Sequence, residues 1–93
     1  NRVSKMNLTT LKYFISVASL GSITEVAKEA YVSQSAVSKT IKQLEEEIGV
    51  ELFDREGRTI KLNQQGKFFY SYVSDSLNLL DRGIKAVQGS KKH

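Results

Sequence analysis

Apolar residues recur at helical spacing in three runs between Leu8 and Ile48, and almost nothing separates one run from the next. Leu8, Leu11, Ile15 and Ala18 follow at intervals of three, four and three, with Phe14 broadening that face. Gly21 stops this run in the position where a left-handed residue usually closes a helix. Ser22-Ile23-Thr24-Glu25 follows at once and matches a capping box, a Ser whose partner Glu stands three residues later. It opens a short helix from Ile23 to about Ala30, with Val26, Ala27 and Ala30 inward. Tyr31-Val32 breaks the period and Ser33 is the next N-cap. Val37, Ile41, Leu44 and Ile48 then recur at four, three and four, ending at Gly49. A second and third helix joined by so short a turn make a helix-turn-helix.

Two short pieces of strand character come next. Val50-Glu51-Leu52-Phe53 is followed by Asp54-Arg55-Glu56-Gly57-Arg58, then by Thr59-Ile60-Lys61-Leu62, whose residues alternate with period two. Gly57 can take the positive φ of a tight connection. Together they read as a hairpin, a wing over 51–62. Asn63 is a third N-cap candidate. Beyond it Phe69, Val73, Leu77, Leu80, Ile84 and Val87 form one narrow stripe on a long helix. A helix at the end of so small a domain has little core left to cover, so a second copy of the chain is its expected partner. Phe68, Phe69, Tyr70 and Tyr72 could form a base-stacking platform for single strands. Their helical spacing favours core and dimer packing instead.

The predicted fold is mostly α with a small β-hairpin: a winged helix-turn-helix followed by a long linker helix that dimerises. Four segments are expected. Residues 1–5 form a disordered extension, 6–63 the winged helix-turn-helix, 64–88 the linker helix, and 89–93 a flexible end. Ninety-three residues hold a single domain. Cys is absent, which excludes a disulfide scaffold and a Cys-ligated zinc site, and the single His is the last residue. No metal and no cofactor is expected. No apolar run reaches the length that spans a bilayer and no signal peptide opens the chain, so the expected location is the cytoplasm.

The net charge of +4 hints at an anionic partner only weakly. Arg2, Lys5, Lys91 and Lys92 lie in the two ends, and between Met6 and Gln88 ten basic residues balance ten acidic ones. What matters is where the charges sit. The face opposite Val37, Ile41 and Leu44 carries Gln34, Ser35, Ser38, Lys39 and Lys42. Gln pairs with adenine in the major groove, Ser serves several base edges, and Lys reaches phosphate or guanine. The Ser33 hydroxyl, at the helix N-terminus, caps the helix and can also meet phosphate. Phosphates would repel Glu45-Glu46-Glu47 at the far end, so the helix enters the groove N-terminus first. That acidic run reads as a solvated helix end.

These residues resemble the DNA-binding domain of LysR-type transcriptional regulators. The resemblance runs from Met6 to about Val87. It rests on Met6-Asn7-Leu8 with Leu11, Tyr13 and Phe14, and on Gly21-Ser22-Ile23-Thr24 with Ala27. It continues through Val32-Ser33-Gln34-Ser35-Ala36-Val37-Ser38-Lys39 with Ile41, then Leu44-Glu45 and Gly49. Leu52-Phe53-Asp54-Arg55 with Gly57-Arg58, Leu62 and Gly66 complete it. The family often has Pro where Ser35 stands and Thr where Asn63 stands.

The resemblance implies promoter DNA as partner, with Gln34, Ser35, Ser38 and Lys39 facing the groove. It assigns Arg55 and Arg58 to the wing, Arg58 at the hairpin tip being the better placed for the minor groove or phosphate. It also implies a homodimer through the linker helix and a separate effector-binding domain, which this stretch lacks. A helical dimerisation module without DNA binding is the competing function. An enzyme is a distant third, because no nucleophile has a base partner.

Overall fold

Each helix begins where a side chain can accept the first free backbone N–H groups. The computed structural model describes residues 6–57 and 59–91. Helix α1 (Leu8–Leu20) opens on Asn7, whose Oδ1 accepts the Thr10 N–H at 2.9 Å, and closes on Gly21 at φ +64°. Helix α2 (Ile23–Ala30) opens on Ser22, whose Oγ accepts the Glu25 N–H at 3.1 Å. Helix α3 (Gln34–Ile48) opens on Ser33, whose Oγ accepts the Ala36 N–H at 3.1 Å, and closes on Gly49 at φ +91°. Strands β1 (Phe53–Glu56) and β2 (Thr59–Leu62) form an antiparallel pair with Phe53 opposite Leu62 and Glu56 opposite Thr59. Asn63 Oδ1 then accepts the Gly66 N–H at 2.8 Å and starts helix α4 (Gln64–Lys91). Four helices and one hairpin in this order are a winged helix-turn-helix with a trailing helix.

The core is small and shared. Phe14, Val17, Val37, Ile41, Leu44 and Leu52 are fully enclosed, joined by Val26, Ala27, Phe53, Ile60 and Val73. Phe14 is its hub. Its ring lies 5.6 Å from Phe53 on the wing at an edge-on angle of 66°, 5.2 Å from Phe69 and 6.2 Å from Tyr70 on α4. One aromatic side chain therefore joins α1, the wing and α4, a geometry aromatic pairs favour.

Three details differ from the sequence reading. In α1 the buried line is Thr10, Phe14 and Val17, while Leu11, Ile15 and Ala18 are half-buried beside it and Leu8 is exposed. Helix α1 packs against α2, α3, α4 and β2. The middle of its apolar arc is thus buried deepest, not the row with the most aliphatic residues. Thr10 is tolerated there because its hydroxyl donates to Asn7 Oδ1 at 3.2 Å.

In the wing, β1 starts at Phe53 and not at Val50. Asp54, Arg55 and Glu56 belong to the strand and not to the connection. The backbone before Phe53 has other partners. The Leu52 N–H goes to Glu45, the Leu52 carbonyl accepts the Asn63 N–H at 3.0 Å, and the Glu51 carbonyl accepts the Asn63 side chain at 2.9 Å.

In α4 the helix continues through Lys91, past residue 88 where the sequence reading ended it. The expected extension over 1–5 lies outside the described residues, as do residues 92 and 93 of the expected flexible end.

Candidate nucleic-acid interface

Helix α3 divides its two faces cleanly. Val37, Ile41 and Leu44 are enclosed in the core, so the residues between them must point away from it. Ser33, Gln34, Ser35, Lys39 and Lys42 are exposed and Ser38 is half-exposed. The Ser33 hydroxyl serves as the cap and also lies 3.2 Å from the Ser35 hydroxyl, so both sit at the first turn of the helix. An exposed polar ridge therefore stands on a helix anchored from behind by apolar contacts.

The wing faces this ridge. Arg55 shares a side of β1 with the buried Phe53, two residues earlier, and pairs across the hairpin with the buried Ile60. That places it toward α3. One open cleft is bounded by Ser22 and Thr24 on α2's first turn, Gln34, Ser35 and Ser38 on α3, and Arg55 and Thr59 on the wing. A second cleft, on the other side of Ser38 and Arg55, is bounded by Lys42, Glu45, Glu51 and Asp54. Ser38 and Arg55 form the boundary between the two. A third, shallower depression follows α3 itself past Lys39 and Lys42 to Gln43 and Glu46.

Ser33, Gln34, Ser35, Ser38, Lys39, Lys42 and Arg55 thus lie on one side of the molecule. Arg58 lies outside the described residues. Thr24 and Thr59 border the same cleft, and the sequence gives no sign of it. Nothing local marks them, because their neighbourhood arises only when α2 and the hairpin meet α3. The acidic run is not a uniformly solvated helix end. Glu46 is exposed, but Glu45 is half-buried and bonds the backbone of Leu52 and Phe53, and Glu47 Oε1 is enclosed.

The residues expected on the dimerisation stripe divide into two groups. Phe69, Val73 and Leu77 pack against the chain's own core. Leu80, Ile84 and Val87 are exposed, as are Phe68, Tyr72 and Leu79 on the adjoining side of α4. Of the four aromatic residues at the start of α4, Phe69 and Tyr70 join the core while Phe68 and Tyr72 remain outside it. Among the described residues no helix is long and apolar enough to cross a membrane.

Residues 8–67 match the model of the bacterial regulatory helix-turn-helix proteins of the lysR family. The chain is 36% identical over 83 residues to the HTH-type transcriptional regulator BenM of Acinetobacter baylyi, a stretch that is 89% of this chain and 27% of BenM. The fold superposes on the BenM DBD solved with catB site 1 DNA at a TM-score of 0.86 and 33% identity, covering 95% of this chain and 97% of that one. The CbnR DBD solved with DNA gives 0.83 and 33%, covering 91% and 98%.

Proposed function

This chain belongs to the lysR family of bacterial regulatory helix-turn-helix proteins, and from that premise we propose that it binds double-stranded promoter DNA sequence-specifically, as the N-terminal domain of a transcription regulator. The carrying observation is the ridge of Gln34, Ser35, Ser38 and Lys39. It is held outward on α3 by Val37, Ile41 and Leu44 and bordered by Arg55 of the wing. An α-helix of this width fits the major groove, and the groove carries a distinct donor and acceptor pattern for every base pair. Helix α3 enters with its N-terminal turn against the bases. Ser33 and Lys42 contact phosphate, and the wing, with Arg55 and Arg58, lies on the backbone or in the minor groove.

The likeness to two chains solved on DNA supports this reading over a module that only dimerises. Residues 6–63 are the DNA-binding unit and 64–88 the linker. A second copy covers Leu80, Ile84 and Val87, giving a two-fold dimer whose half-sites mirror its symmetry. Such a regulator acts where the chromosome is, in the bacterial cytoplasm.

The test is selection of bound duplexes from a random pool, followed by a salt titration on the recovered sequence. The expected result is an inverted repeat whose affinity falls steeply with salt. Gln34→Ala or Ser38→Ala should then relax base choice at one position in each half-site by about 1–3 kcal/mol. No affinity for any duplex at low salt would leave only the dimerisation module.

A further inference from the structure

Glu45 does something no solvated helix end does. Its Oε2 accepts the Leu52 N–H at 2.7 Å and the Phe53 N–H at 3.3 Å, so one carboxylate oxygen holds the backbone that leads into the wing. Glu45 stands three residues after Lys42 and seven after Ser38, on the same face of α3, and borders the cleft that those two share with Arg55. Phe53, which it holds, is also pinned by its ring in the core. Two residues further along the same side of β1 comes Arg55. The charge matters as well. A free carboxylate on a surface that meets phosphates would repel them, whereas this one faces two backbone N–H groups of its own protein.

We propose that Glu45 is a positioning residue of the DNA interface: by holding the Leu52 and Phe53 backbone against α3, it sets the wing so that Arg55 stands beside Ser38 and reaches the same duplex. The inference rests on the DNA-binding reading above. It makes Glu45 act through Arg55, which distinguishes it from general stabilisation. Two residues acting through one contact give losses that do not add.

The experiment measures affinity of the 93-residue chain for its selected duplex, with the melting temperature followed in parallel, for E45A, R55A, the double variant E45A/R55A, and E45Q. R55A is expected to lose roughly tenfold, E45A a similar factor, and the double variant no more than R55A alone. E45Q keeps an oxygen that can accept both N–H groups, though as neutral and weaker bonds, so it is expected to bind between E45A and the original chain. If E45A does not fold, E45D replaces it in the cycle, because its shorter side chain keeps the charge and loses the reach. Multiplying losses in the double variant, or an R55A affinity equal to that of the original chain, would overturn the proposal while leaving DNA binding intact. An original chain that binds no duplex would overturn both.

Discussion

Tyr31 closes α2 at φ +59° with 94% of its surface in solvent. The left-handed conformation costs a residue with a Cβ about 1–2 kcal/mol, and a fully exposed phenol gains no packing in return. Asn tolerates this conformation better, so Tyr31→Asn should raise stability by about 0.5–1 kcal/mol, read as a higher denaturation midpoint. A lower midpoint would mean that the ring has a partner within the fold. Gly66 is the opposite case. A methyl group there would strike the Leu52 carbonyl oxygen and come within 2.8 Å of Leu62 Cδ2. The Leu52 carbonyl is itself held by the Asn63 N–H, so it cannot easily retreat. Gly66→Ala should cost about 1–3 kcal/mol, although Ala is the better helix former. An unchanged midpoint in urea would show that α4 can shift away. The sequence flags Gly66 as part of a recurring pattern but gives no reason for it, because the carbonyl it must clear is fourteen residues away.

Element boundaries were legible for a simple reason. Ser22, Ser33 and Asn63 each cap a helix through a bond to the third residue on, and such bonds depend only on the local chain. The polar face of α3 was legible because helical periodicity alone separates it from Val37, Ile41 and Leu44. The wing was less so. Its first strand starts three residues after Val50, where the strand character of Val50-Glu51-Leu52-Phe53 places its start, because Glu45 and Asn63 claim the backbone of Leu52 and Glu51. On the proposed DNA-binding reading, the face of α3 makes two kinds of contact that can be separated. Lys42 stands two turns from the first turn of the helix and lines no part of the cleft that holds Gln34. Lys42→Ala should therefore weaken binding to all sequences alike and lower the salt slope by about one. Altered base preference in a repeated selection would place Lys42 at a base edge instead.

Across the whole molecule the longest dimension is 53 Å against 28 and 24 Å, and α4 is its longest element. A helix of 28 residues extends about 42 Å. Only its first half has a core to rest on. Past Leu77 every side chain from Asn78 to Gly89 is exposed. An isolated helix with exposed Leu80, Ile84 and Val87 is marginal in water, so the proposed dimerisation would support formation of the helix as well. Ile84→Asp should convert a dimer to a monomer in sedimentation at micromolar concentration. It should also reduce affinity for the full inverted repeat far more than for one half-site. A variant that remains dimeric would place the interface elsewhere. Val73→Asp should behave differently and unfold the chain, because Val73 lies in the monomer core.

By itself the sequence determined the number and kind of elements, the capping residues of α2, α3 and α4, and the polar ridge on α3. All of these are set within three or four neighbours along the chain, where spacing and capping act. Only the tertiary structure decided which line of α1 is buried deepest, where the first strand of the wing starts, why Gly66 is glycine, and what Glu45 holds. Each of those depends on a contact between residues at least seven positions apart. Such contacts exist only after the helices have packed, because the apolar burial that brings them together has no direction written in local order.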